Sequence, residues 1–135
     1  VSVTVNQLPI VNAGVDQTIC AETAITLSGS GAINYTWNNG VSNGVSFTPA
    51  ATSTYTATGT DANGCFASDQ VVITVSPIPI VDAGVNQTVC AGTTVTLTGM
   101  GATTLTWSNG VTNNVSFTPG TSTTYTVTGT SAAGC

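Results

Sequence analysis

Lysine, arginine and histidine are all absent from the 135 residues. The charged fraction is 4%, made up of five carboxylates, against about 25% in an ordinary soluble domain. A chain with no cation cannot neutralise phosphates, which excludes nucleic acid as a partner. Polybasic attachment to anionic lipid is excluded for the same reason. With neither His nor Lys, no hydroxyl or thiol has a base to activate it, so the chain is not expected to be an enzyme. No cofactor is expected, and the Lys–Asn isopeptide bond is also out of reach. Apolar runs extend only a few residues, far short of the roughly 20 that span a bilayer, so no membrane insertion is expected. No signal-peptide pattern is present and the chain opens on Val1 rather than Met, the expectation for a mature or excised piece.

What the chain has is repetition. Cys20 recurs as Cys90, Trp37 as Trp107, Phe47 as Phe117, Tyr55 as Tyr125 and Cys65 as Cys135, always 70 residues on. Laid without a gap over residues 71–135, residues 1–65 match at 39 of 65 positions, or 60%. Val1-Ser2-Val3-Thr4-Val5 falls on Val71-Val72-Ile73-Thr74-Val75. The expected organisation is therefore a closing strand of a preceding repeat at 1–5 and a first repeat at 6–75. A second repeat at 76–135 lacks its own closing strand, and the array continues in both directions. Val75-Ser76-Pro77-Ile78-Pro79-Ile80 joins the repeats, and its two prolines favour an extended, semi-rigid connection.

Period-two alternation dominates each repeat. Ile25 and Leu27, Tyr35 and Trp37, Val45 and Phe47, Tyr55, Ala57 and Gly59, and Val71, Ile73 and Val75 alternate with Thr, Ser, Asn and Val. Asn39-Gly40, Asn43-Gly44 and Asn63-Gly64 punctuate the runs and suit two-residue hairpins, which need positive φ at both central positions. The fold class expected is all-β: tandem small antiparallel β-sandwiches of about 70 residues, each with six or seven strands. Trp37, Trp107, Tyr55, Tyr125, Phe47 and Phe117 are the expected core aromatics.

A sandwich of that size is marginal alone, and Cys20, Cys65, Cys90 and Cys135 are the expected disulfide residues, which implies an oxidising compartment. Pairing within each repeat is the expectation; it would close a 45-residue loop (65 − 20, 135 − 90) and contribute about 4 kcal/mol. A seven-strand sandwich would put Cys20 and Cys65 at opposite ends and favour Cys20 with Cys135 instead, but a lost or shifted strand restores the parity that pairing within a repeat needs. Zinc has no His and no C-x-x-C pair behind it. No acidic position is acidic in both repeats: Asp16 answers Asn86, Glu22 answers Gly92, Asp61 answers Ser131 and Asp82 answers Asn12. Calcium at Asp61 and Asp69 is the sharpest metal hypothesis, and solvated turn residues are the expectation. Trp37 and Trp107 as a sugar-stacking platform are set against a core position, because Tyr35, of the same parity as Trp37, is Leu105 in the second copy. The sequons at Asn34, Asn86 and Asn114 do not coincide between copies.

The run VDAGVNQTVC, then TVTLTG, TWSNG and SFTPGTSTTYTVTGTSAAGC, resembles the PKD-like and immunoglobulin-like tandem repeats of large secreted Bacteroidetes surface proteins. The resemblance covers the whole chain. It implies a sandwich fold, an extracellular or cell-surface location and a place among adhesins, gliding-type adhesins or stalks of type IX-secreted proteins, with no catalytic residues. The function expected is a structural or adhesive repeat segment, stacked head to tail with neighbouring copies of the same repeat. The alternative is a carbohydrate- or protein-binding accessory module of a secreted enzyme. Val1, Val3 and Val5 are expected to complete the second sandwich of the copy before. Two routes lead there: one continuous polypeptide, the favoured one, or subunits that donate a strand.

Overall fold

The computed structural model describes residues 1–135. It is all-β apart from one 3-10 turn at Ser108–Gly110. Two compact units divide the chain, Val1–Ser76 and Pro77–Cys135.

The first unit holds β1 (Gln17–Cys20), β2 (Ile25–Thr26), β3 (Asn34–Trp37), β4 (Ser46–Phe47), β5 (Ser53–Thr60) and β6 (Phe66–Ser76). A four-stranded sheet has the order β1-β6-β5-β3, and β2 and β4 form a separate antiparallel pair. The spine is the β5–β6 hairpin, in register from Ser53↔Ile73 to Thr60↔Phe66. β1 runs parallel to β6, from Gln17↔Ile73 to Cys20↔Ser76. A purely antiparallel unit, as expected from the hairpin signals, is thus not what forms. The tight-turn residues mark where the chain reverses, but β1 reaches β6 only through the long excursion that carries β2 to β5.

Because side chains alternate along a strand, β5 sends Tyr55, Ala57 and Gly59 inward and β6 sends Val71 and Ile73. They meet Ala13, Ile25, Leu27 and Trp37 in one core, with Val71, Ile73 and Ala57 at 0% exposure. Each fully buried Val or Ile contributes about 1.5–3 kcal/mol relative to exposure. Val45, expected on the same face as Phe47, is exposed. A turn from Ser42 to Val45 precedes β4, which starts only at Ser46, so the alternation has not begun.

The Asn-Gly turns also differ from expectation. Asn39 and Gly40 both have positive φ, 56° and 71°, as the type needs, but they lead from β3, whose partner is β5, toward β4, whose partner is β2. At Asn43-Gly44 and Asn63-Gly64 only the glycine is at positive φ. The β5–β6 connection is the five-residue loop Asp61–Cys65, whose ends are tied by Asp61 N–H donating to the Cys65 carbonyl at 2.9 Å.

The second unit holds β7 (Val95–Thr96), β8 (Thr104–Trp107), β9 (Ser116–Phe117) and β10 (Val127–Thr130). β7 pairs with β9 and β8 with β10, each antiparallel. These repeat β2, β4, β3 and the second half of β5 at an offset of 70. The bridges Asn12↔Ser30 and Asp82↔Met100 repeat likewise. At each, a glycine follows, Gly31 at φ +90° and Gly101 at φ +96°, and the carbonyl oxygen of Ile10 or Ile80 fills the space a Cβ would need.

Candidate functional site

The elements missing from the second unit are those that depend on β6. In the first unit, residues 53–56 have β6 as their only strand partner and β1 pairs with β6 alone. No counterpart of β6 occurs in residues 77–135, and residues 87–90 and 123–126 accordingly form no strand. Between them lies a cleft of about 590 Å³, lined among others by Val89, Val95, Leu97, Trp107, Thr123 and Tyr125. Four of the six counterparts, Ile25, Leu27, Trp37 and Tyr55, are buried in the first unit, and the other two, Ile19 and Ser53, are half-buried. In the second unit Trp107, at 5% exposure, is the only large apolar side chain that is buried. The cleft is thus lined by apolar side chains and by residues of both strandless segments.

The tryptophans form the best-tied positions in both units. Trp37 donates its indole N–H to Asn43 Oδ1 at 3.0 Å, and Gly29 N–H donates to the same oxygen at 2.8 Å. Trp107 and Gly99 treat Asn113 Oδ1 identically, at 2.9 and 2.7 Å. Sequence reasoning missed these asparagines, although the Trp-to-Asn spacing of six residues is the same in both copies. The indoles face inward, at 9% and 5% exposure, and offer no stacking surface. Tyr55 is buried, whereas Tyr125, Phe47 and Phe117 are half-buried. Phe47 packs on Tyr55 with ring centroids 5.3 Å apart, and Phe117 on Tyr125 at 5.2 Å. Phe66 is exposed and stands alone.

The carboxylates serve the backbone. Asp69 Oδ2 accepts the Ala13 N–H at 2.8 Å, Asp16 Oδ1 accepts the Val72 N–H at 2.8 Å, and Asp82 Oδ1 accepts the Gly84 N–H at 2.8 Å. Asp61 Oδ1 accepts from Asn63 and Cys65, and Ser131 Oγ takes over the second of these contacts for Cys135. Hydrogen bonds from the Ala13 and then the Gln70 N–H hold the Asp69 carboxyl below the usual range. Asp61 and Asp69 thus face different backbone segments, and no three acidic or cysteine side chains come together.

Cys20 and Cys135 are disulfide-bonded, while Cys65 and Cys90 carry free thiols. This corrects the pairing within each repeat, since each expected pair contains one bonded and one free sulfur. In the first unit Cys20 is level with Ser76 at the far end of β6, and Cys65 immediately precedes its near end. Ten steps of extended chain separate those ends by about 33 Å, against a Cα limit near 7 Å for a disulfide. Val1, Val3 and Val5 are exposed and belong to no strand. No helix is long and apolar enough to cross a membrane.

Compared with models of known protein families and with curated proteins, the chain matches none.

Proposed function

We propose that the chain is a structural or adhesive repeat segment of an extracellular filament, stalk or surface adhesin, built from PKD-like or immunoglobulin-like β-sandwich units in line. The observation that carries this reading is the recurrence of the same devices at an offset of 70. The strand pairs, the glycine-spaced bridges and the Trp–Asn ties all recur, while no chemically reactive cluster recurs with them. A disulfide in so small a chain supports an oxidising, extracellular setting. The Pro77-Ile78-Pro79 connection supports a semi-rigid rod. Small-angle scattering of this chain and of two copies joined end to end tests it: the maximum dimension should grow in proportion to the number of units. A doubled array that stays compact would overturn the rod. Saturable binding to a glycan panel would favour the accessory-module alternative, for which the buried indoles offer no platform.

A further inference from the structure

Four asparagines stand directly before a glycine: Asn39, Asn43, Asn63 and Asn109. Asparagine is thermally labile, and most so in this dipeptide, because a glycine nitrogen has no Cβ beside it to hinder attack on the asparagine side chain. Each of these asparagines and the glycine after it is exposed, so access to water does not separate the four sites. Hydrogen bonding does. Asn43 Oδ1 is held by the Trp37 indole and the Gly29 N–H, and the Gly44 nitrogen is engaged too, donating its N–H to the Leu27 carbonyl at 2.9 Å. Asn63 sits in the Asp61–Cys65 loop, where Asp61 Oδ1 accepts the Asn63 and Cys65 N–H groups at 2.8 and 2.9 Å. There the Gly64 N–H donates to the Asp61 carbonyl at 3.2 Å, and the loop ends are tied as well.

The other two sites occupy one and the same turn. Asn39-Gly40 and Asn109-Gly110 each begin two residues after a tryptophan, with φ of 56° and 71° in the first unit and 57° and 70° in the second. The contacts that close these turns are long. Val41 N–H reaches the Asn38 carbonyl at 3.3 Å and Val111 N–H the Ser108 carbonyl at 3.4 Å, beyond the ordinary range of about 2.7–3.2 Å. Asn39 Nδ2 adds one donation, to the Thr54 carbonyl at 3.3 Å. Turns closed so weakly open at small cost, whereas Asn43 must first release three shorter bonds.

We propose that Asn39 and Asn109 are paired modification sites, which convert to aspartate and isoaspartate while Asn43 and Asn63 are preserved. Water is the only co-reactant. With the turn open, hydroxide takes the Gly40 amide proton and the nitrogen attacks Asn39 Cγ. A five-membered succinimide closes as the Cγ–Nδ2 bond breaks, and the amide leaves as ammonia with a proton from water, which regenerates hydroxide. Water then opens the ring at one of its two carbonyls. Attack at Cγ gives aspartate, and attack at the main-chain carbonyl gives isoaspartate. One water is consumed and one ammonia released. Asn109 reacts in the same way with Gly110. Each conversion adds one carboxylate, so the formal net charge moves from −5 to −7 (−5 − 2). The new charge enters each unit at the same place and leaves both tryptophan ties intact. At Asn39 it also removes the donor to the Thr54 carbonyl. The conversion depends on the two turns alone and not on how the units are joined.

The test ages the 135-residue chain in mildly alkaline buffer and follows it by anion exchange. Chymotryptic peptides are then fragmented in the mass spectrometer to place each amide-to-acid change, and isoaspartate is counted with a carboxyl methyltransferase. Two successive charge steps are expected, at Asn39 and Asn109, each about tenfold or more faster than at Asn43 or Asn63, the ratio set by the additional hydrogen bonds that must open there. Reduced and unfolded in denaturant, the chain should convert at all four sites at similar rates. Asn39→Gln, which would need a larger ring, should remove one charge step and leave the other. Equal rates at the four sites of the folded chain, or Asn43 or Asn63 converting first, would overturn the proposal. So would a folded chain unchanged at Asn39 or at Asn109 while the unfolded chain converts, or two charge steps that survive in Asn39→Gln.

Discussion

Asn43 and Asn113 each bring one amide oxygen to two donors, a backbone N–H and an indole N–H. Truncation would leave the indole N–H of a buried tryptophan without its acceptor, at a cost of about 1–3 kcal/mol. Asn43→Ala and Asn113→Ala should each lower stability by that amount in denaturant titrations followed at the unit concerned. A change within about 0.5 kcal/mol, as surface substitutions give, would show that solvent replaces the asparagine. Asp69 is the second residue whose role can be read from its partners. Its carboxyl is held below the usual range by the Ala13 and Gln70 N–H groups, so the folded state binds a proton less readily than the unfolded chain. The stabilisation is therefore present above the unfolded carboxylate pKa, and is lost as pH falls through the lower folded value. Melting temperature should drop on acidification across that window, and Asp69→Asn should flatten the drop. Parallel profiles for the two proteins would remove Asp69 from this role.

β6 shows what a single strand can organise. It pairs on one side with β5 and on the other with β1, and it supplies two of the most deeply buried side chains of the first unit. Where its counterpart is missing, residues 87–90 form no strand, although Gln87, Thr88 and Cys90 are identical to the Gln17, Thr18 and Cys20 of β1. Local sequence is therefore not what makes β1 a strand; its partner is. Amide hydrogen exchange should report the same contrast. Tyr55, whose strand pairs with β6 at Val71, should be protected, while Tyr125, in the identical Thr-Tyr-Thr context without that partner, should exchange orders of magnitude faster. Equal protection would mean that pairing with β6 is not what protects Tyr55.

The four cysteines divide the whole chain unequally. Two are bonded and two are free, which fixes the stoichiometry of an alkylation experiment. Without prior reduction, iodoacetamide should add to Cys65 and Cys90 and leave Cys20 and Cys135 unmodified. Cys90 should react faster, since it is exposed and Cys65 is half-buried. Modification at Cys20 would contradict the bonded state and restore pairing within a repeat as the question.

Much of this was legible in the residues alone. The period of 70 is an identity pattern, and the two-residue alternation at Tyr55, Ala57, Val71 and Ile73 depends only on strand geometry, so the all-β class and the inward faces could be read without coordinates. The absence of Lys, Arg and His needs no structure to bound the chemistry. The parallel β1–β6 pairing and the state of each thiol could not be read in this way. Neither could the asparagine behind each tryptophan. All three depend on which segments end up adjacent after a long excursion of the chain, and alternation specifies a face without specifying a neighbour. The cysteines show the limit most plainly. A spacing of 45 residues is compatible with a bond until an 11-residue strand, running from one cysteine's end of the sheet to the other's, sets them too far apart to meet.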